Sequence, residues 1–202
     1  RRRQNIRRMQ KHLPERVQKG QGTMRAFTFE NATKIYFGGG CVKEHLLEAV
    51  KPYGETVMLA YGGGSIKTNG IYQEVMDVLK LAGKQVIEFS GIMPNPTYSK
   101  VMEGKKIVQE NQVDLILAVG GGSVMDCSKA ISMAAATDKD VWEEYWIKKG
   151  EIDFEPVPVG VIVTVVGTGS EVNGEGVITH EEQKIKTSRN YPRCNPVFAM
   201  MD

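Results

Sequence analysis

A chain of 202 residues with 41% hydrophobic and 25% charged side chains has the balance of a globular protein with one ordinary core, or at most two small ones. No apolar run reaches the about 18 residues that a membrane-spanning helix needs, so no membrane span is predicted. The net charge of +2 hides an asymmetry: residues 1–23 hold 8 of the 26 Lys and Arg and 1 of the 24 acids, which leaves the remainder at −5.

Residues 1–23 therefore read as a basic leader. Ile6, Met9, Leu13 and Val17 form a faint helical stripe, which suits an acidic membrane surface, RNA or a transit peptide. Pro14 interrupts that stripe, and the leader is expected to be disordered. A domain is expected over residues 24–202, beginning at Met24. There, short β-type runs alternate with helical patterns, the signature of an α/β fold with a doubly wound, mainly parallel sheet. Ala32–Phe37 reads as a first strand closed by Gly38-Gly39-Gly40, and residues 42–50 as a helix. Thr56–Tyr61 is a second strand, followed by a helix marked by Ile71, Val75, Val78 and Leu79. Gln85–Phe89 is a third strand, and Gly91 to Pro96 form a stiff turn. Tyr98, Val101, Met102 and Val108 mark one face of the next helix. Val113–Val119 is continuously apolar, as expected of a strand buried on both faces, and residues 124–136 form an Ala- and Met-rich helix. Trp142, Tyr145 and Trp146 fall in a polar connection. Val157–Val166 is another buried strand, with shorter strands at 175–179 and 197–201.

Chemistry concentrates where strands end in glycine. Tyr61-Gly62-Gly63-Gly64-Ser65 closes the second strand, and Gly120-Gly121-Gly122-Ser123 closes the fourth, directly before a helix. Bare N–H groups at such a corner, with the positive end of a helix dipole, suit a phosphate or pyrophosphate. Neither corner matches the usual dinucleotide fingerprint or a P-loop; their recurrence after two buried strands carries the signal. Ser123 and Asp126 have capping-box spacing, which would start the helix and leaves room for a ligand role. After Tyr61 no acid appears until Glu74, while Ser65 and Lys67 could receive a ribose 2′-phosphate, which favours NADP over NAD. Thr164 to Glu171 (TVVGTGSE) follows the last long strand. Its hydroxyls suit a nicotinamide or ribose, or an ordinary Ser/Thr-rich turn.

Cys41, Cys127 and Cys194 are odd in number and far apart, so they indicate neither a disulfide framework nor a zinc knuckle, and they suit a reducing cytoplasm. Cys127 reads as a buried filler, or as a reactive thiol near a helix start. His12, His45 and His180 have no second His or carboxylate at metal-ligand spacing, and surface roles are expected for His45 and His180. A core at −5 without a basic, aromatic-interleaved stripe argues against nucleic-acid binding.

Taken in order, FENATKIYFGGG, AYGGGSIKTNG, IMPNPTYSKV, ILAVGGGSVMDCSKAI, TVVGTGSEVNGEGVIT and NPVFAMMD resemble the iron-containing alcohol dehydrogenase family, in its butanol dehydrogenase-like, NADP-using branch. The resemblance implies a two-domain enzyme that transfers hydride between NADP(H) and an alcohol–aldehyde pair. A second, all-helical domain, absent from these residues, would hold a divalent metal, iron or zinc. It implies that Gly63, Gly64 and Ser65 lie by the adenosine ribose phosphate, and that Gly121, Gly122 and Ser123 cradle the pyrophosphate beside Asp126. Thr164 and Thr168 would line the ribose–nicotinamide end, and Lys184 would match a cofactor-contacting lysine. It assigns no catalytic and no metal-ligating residue to this chain, and takes Asp202 as an acid closing the last strand. A homodimer or larger assembly through the N-terminal strand is also implied. The chain alone is expected to bind cofactor weakly and to be inactive. Other readings keep the fold with the reaction of glycerol dehydrogenases or dehydroquinate synthases, or make it a non-catalytic nucleotide-binding module.

Overall fold

The computed structural model describes residues 31–202, so the basic leader and the domain start at Met24 lie outside the described residues. In chain order the elements are β1 (Lys34–Phe37), α1 (Cys41–Val50), β2 (Thr56–Tyr61), the one-turn helix α2 (Ser65–Thr68), α3 (Ile71–Leu81) and β3 (Gln85–Phe89). Then come α4 (Tyr98–Glu110), β4 (Leu115–Gly120), α5 (Gly122–Ala135), a π-helical turn at Trp142–Ile147 and β5 (Val159–Val163). A hairpin of β6 (Glu175–His180) and β7 (Ile185–Asn190) precedes β8 (Phe198–Met201).

Six strands form one sheet in the order β1-β8-β5-β4-β2-β3, and each neighbouring pair is parallel. The central strands β4 and β5 are buried along their whole length, which explains why they hold only Leu, Ile, Val, Ala and Gly. Alternate side chains feed two cores. Val57, Leu59, Tyr61, Leu115 and Leu117 pack with α1 and α3 on one face. Met58, Ala60, Ile116 and Ala118 pack with α4 and α5 on the other. The sheet is thus parallel and covered on both faces, the expected doubly wound arrangement.

Three expectations are corrected. The strand assigned to Val157–Val166 ends at Val163, where a bend at Thr164 and Val165 takes the chain off the sheet; Val165 and Val166 are 67% and 66% exposed, and Gly167 and Gly169, both at positive φ, continue the turn. Met102 is 37% exposed, and α4 buries Val101, Gly104 and Val108. Trp142, Tyr145 and Trp146 are no polar connection: their π-helical turn buries all three against the α5 core. Tyr191 donates its hydroxyl to the carbonyls of Tyr145 (2.8 Å) and Gly150 (3.0 Å), which fastens that turn to the segment after the hairpin.

Candidate cofactor-binding site

Strand topology places the site. The chain leaving β2 passes through α2 and α3 on one face, while the chain leaving β4 enters α5 on the opposite face. Since β2 and β4 are paired neighbours, with Tyr61 opposite Val119, their diverging exits open a crevice at the carboxyl ends of the strands. Crevices at such a switch point are where doubly wound sheets bind ligands. Both glycine corners lie there.

At the first corner, Gly63 and Gly64 have no atom within 4 Å of the position a Cβ would take, so bare peptide faces open space. Gly64 has φ 113°, a left-handed conformation that an L side chain adopts only with strain. Ser65 opens the one-turn α2 and is exposed. The turn after β3 closes over this corner: Gly91 N–H donates to the Gly62 carbonyl (3.0 Å) and Ile92 N–H to that of Tyr61 (3.2 Å).

At the second corner Gly121 precedes α5 and no side chain caps the helix. Ser123 and Asp126 therefore do not form a capping box. The N–H groups of Val124 (3.0 Å) and Met125 (3.2 Å) return to the Gly121 carbonyl, which leaves those of Gly122 and Ser123 without an intrahelical acceptor. Such uncapped donors at the start of a 14-residue helix favour an anion. Asp126 points elsewhere: it accepts from Ser170 Oγ (2.6 Å) and Val177 N–H (3.2 Å). Burial pushes its carboxyl above the usual range despite these donors.

A third segment completes the rim. Thr164 N–H donates to the Gly120 carbonyl (3.0 Å), which sets the loop after β5 beside the second corner. A Cβ on Gly122 would lie 2.8 Å from Thr168 Cγ2 and 3.0 Å from its Oγ1. Glycine at 122 is thus what lets the Thr168 loop lie on the helix start.

Lys184 is exposed at the hairpin turn, with φ 56°, and is not drawn to the other predicted residues. Lys186, two residues on, reaches Asn95 Oδ1 at 2.5 Å, within the turn that continues from Gly91 and Ile92. One charged group escaped the sequence reading altogether. Glu88, on β3, accepts from Tyr61 Oη (2.5 Å), Tyr72 Oη (2.8 Å) and Lys67 Nζ (3.3 Å). Hydrogen bonds from Tyr61 and then Tyr72 hold its carboxyl below the ordinary range. An acid does stand near Lys67, supplied by the neighbouring strand and invisible in a search along the chain.

The cysteines bear on reactivity. Cys127 is buried in the α5 core, where burial pushes its thiol up to about 12. It is a filler, not a reactive thiol. Both described histidines are partly exposed and both stack: His45 on Tyr36, and His180 on Tyr98 with Trp142 beside it. Asp202 closes β8 and adds a cap, its carboxylate accepting from Gly40 N–H (2.7 Å) and Val42 N–H (3.2 Å) at the start of α1. Among the described residues no three His, Cys, Asp or Glu side chains converge on one point.

Comparison with known proteins agrees with this geometry. Residues 32–202 match the family model described as iron-containing alcohol dehydrogenase. The chain is 45% identical to the probable NADH-dependent butanol dehydrogenase 1 of Bacillus subtilis (strain 168), over 89% of this chain and 46% of that protein. It is 37% identical to the NADPH-dependent aldehyde reductase YqhD of Escherichia coli (strain K12), over 89% and 46%. The crystal structure of NADH-dependent butanol dehydrogenase A from Thermotoga maritima superposes with a TM-score of 0.83 at 39% identity, covering 89% of this chain and 44% of that one. The chain thus spans under half the length of these relatives. With the family match running through both glycine corners and the Thr164–Thr168 loop, the chain belongs to the iron-containing alcohol dehydrogenase family.

Proposed function

We propose that this chain is the cofactor-binding part of an NADP(H)-dependent alcohol dehydrogenase or aldehyde reductase, which transfers hydride between the nicotinamide and an alcohol–aldehyde pair. The observation that carries the reading is the convergence of three ligand-ready segments on one crevice: the open peptides of Gly63 and Gly64, the uncapped start of α5, and the Thr164–Thr168 loop. In this reading the N–H groups of Gly122 and Ser123, with the peptide of Gly121, hold the pyrophosphate. Thr164 and Thr168 hold the nicotinamide ribose, and the exposed Val165 and Val166 give the nicotinamide an apolar neighbour that keeps water off. Of the two hairpin lysines, Lys186 supports a cofactor contact better than Lys184, because it reaches the turn over the first corner.

The described residues do not form the divalent-metal site that the family implies, so no step is assigned to a metal on this chain. The cofactor supplies the hydride chemistry; these residues bind and orient it. NADP preference rests on Ser65 and Lys67, which could receive a 2′-phosphate once Lys67 turns from Glu88. The relatives' names include both NADH and NADPH. A cytoplasmic, soluble enzyme fits the three unpaired, buried cysteines.

Gly122→Ala tests the site. Its Cβ must displace Thr168 or the helix start, so NADPH affinity should fall about tenfold, a loss of about 1.4 kcal/mol, while the circular dichroism spectrum stays that of the wild type. Unchanged affinity would remove the Thr168 loop from the site.

A further inference from the structure

Among the described residues, Lys129 is the most deeply buried charged side chain outside the contacts assigned to the cofactor. It lies on α5 two turns from the uncapped end, is 1% exposed, and its ammonium group is aimed at the loop that follows Thr168. Nζ donates to the Ser170 carbonyl (3.0 Å), Ser170 Oγ (2.7 Å), the Asn173 carbonyl (3.0 Å) and Asn173 Oδ1 (3.3 Å). Four acceptors share three N–H donors. Asp126 Oδ1 lies 3.9 Å away and receives the Ser170 hydroxyl proton, so lysine, serine and aspartate form one chain of bonds. Asn173 in turn donates through Nδ2 to the Gly169 carbonyl (2.8 Å), which extends the hold to the residue beside Thr168.

The loop has reason to need holding. Gly167 and Gly169 both adopt positive φ, and Val165 to Thr168 are exposed, so little apolar burial fixes it. Water could not substitute for the bonds around Nζ without entering a buried space. Burial of a cation is costly, and so is ordering the segment it holds; the four oxygen acceptors around Nζ and the Asp126 carboxylate offset both.

We propose that Lys129 is a positioning residue, which with Ser170, Asn173 and Asp126 latches the Thr164–Thr168 loop onto α5 and so presets the nicotinamide half of the cofactor site. This rests on the functional reading above in one respect only, that Thr164 and Thr168 meet the nicotinamide end. The latch acts at one end of the ligand. The adenosine end, at the first glycine corner on the other side of the crevice, should not sense it.

The test uses the full-length protein, Lys129→Met, and Ser170→Ala as a milder variant should the first fail to fold. Two readings are taken on each. Hydrogen exchange reports the loop itself: amides of residues 165–173 should exchange at least about tenfold faster than in the wild type, with β2 and β4 unchanged. Equal exchange in wild type and Ser170→Ala would overturn the latch. Titration with NADPH and with its adenosine half, 2′-phosphoadenosine 5′-diphosphate, reports the ligand. NADPH binding should weaken about tenfold while the half-ligand binds as to the wild type. Equal weakening of both would mark a merely structural lysine and overturn the positioning role. A wild type that binds neither ligand would overturn the cofactor reading and the role of the latch in it, whereas the loop's attachment to α5 is judged by exchange alone.

Discussion

Two buried partners on α5 show how strongly desolvation acts beside the crevice. Burial drives Lys129 down to about 8 from its ordinary 10.5 and Asp126 upward, although the two lie 3.9 Å apart; loss of hydration outweighs their attraction. Asp126, Cys194, Glu175 and Glu171 surround the lysine and oppose the shift in part. Between pH 8 and 10.5 the unfolded chain binds the lysine proton and the folded chain does not, so this group's contribution to stability rises across that window. The urea midpoint of the wild type relative to Lys129→Met should therefore climb from pH 8 upward, and a flat difference would contradict the assignment. At the first corner, Glu88→Gln should release Lys67 from its ion pair. Because exposed pairs are worth at most about 1 kcal/mol, the preference for NADPH over NADH should rise by no more than about fivefold, read by parallel titrations. None of this was legible in the sequence. Glu88 lies more than 20 residues from Lys67, and the bonds to Asp126 come from residues 44 and 51 positions on.

At the scale of elements, β2 and β3 match the sequence boundaries, since each is an apolar or β-branched run between glycine or charged turns. The two glycine corners were readable for the same reason: strand, turn and helix follow one another along the chain. What failed was set by distant partners. The Trp142–Ile147 turn has the polar composition of a loop, yet its aromatics are buried by α5 and by Tyr191. The Ser123–Asp126 capping box has the right spacing, but the N-cap is Gly121, two residues earlier, and the carboxylate is claimed by Ser170 and by Val177 of β6. The start of α1 is capped across 160 residues by Asp202. Asp202→Ala should cost about 0.5–2 kcal/mol of stability, measured by urea unfolding, with cofactor affinity unchanged; no loss of stability would show the cap to be idle.

For the whole molecule, the sheet ends at β1, whose Ile35 and Phe37 are 53% and 82% exposed among the described residues. An exposed apolar edge of this kind would suit pairing with a second copy, the assembly that the family resemblance implies. If the homodimer implied by the resemblance forms there, Phe37→Lys should shift light-scattering mass toward the monomer, whereas an unchanged mass would place the interface elsewhere. The crevice between β2 and β4 is tested most directly by a fluorescence titration of the wild type and Gly63→Asp with NADPH and with NADH. Position 63 is preferred to Gly64 because it carries no positive φ and has open space for a side chain, so any change reports charge and not backbone strain. NADPH should bind more tightly than NADH to the wild type, and that preference should be lost or reversed in the variant, where a carboxylate would face the 2′-phosphate. Equal affinities for both cofactors in both proteins would contradict this reading.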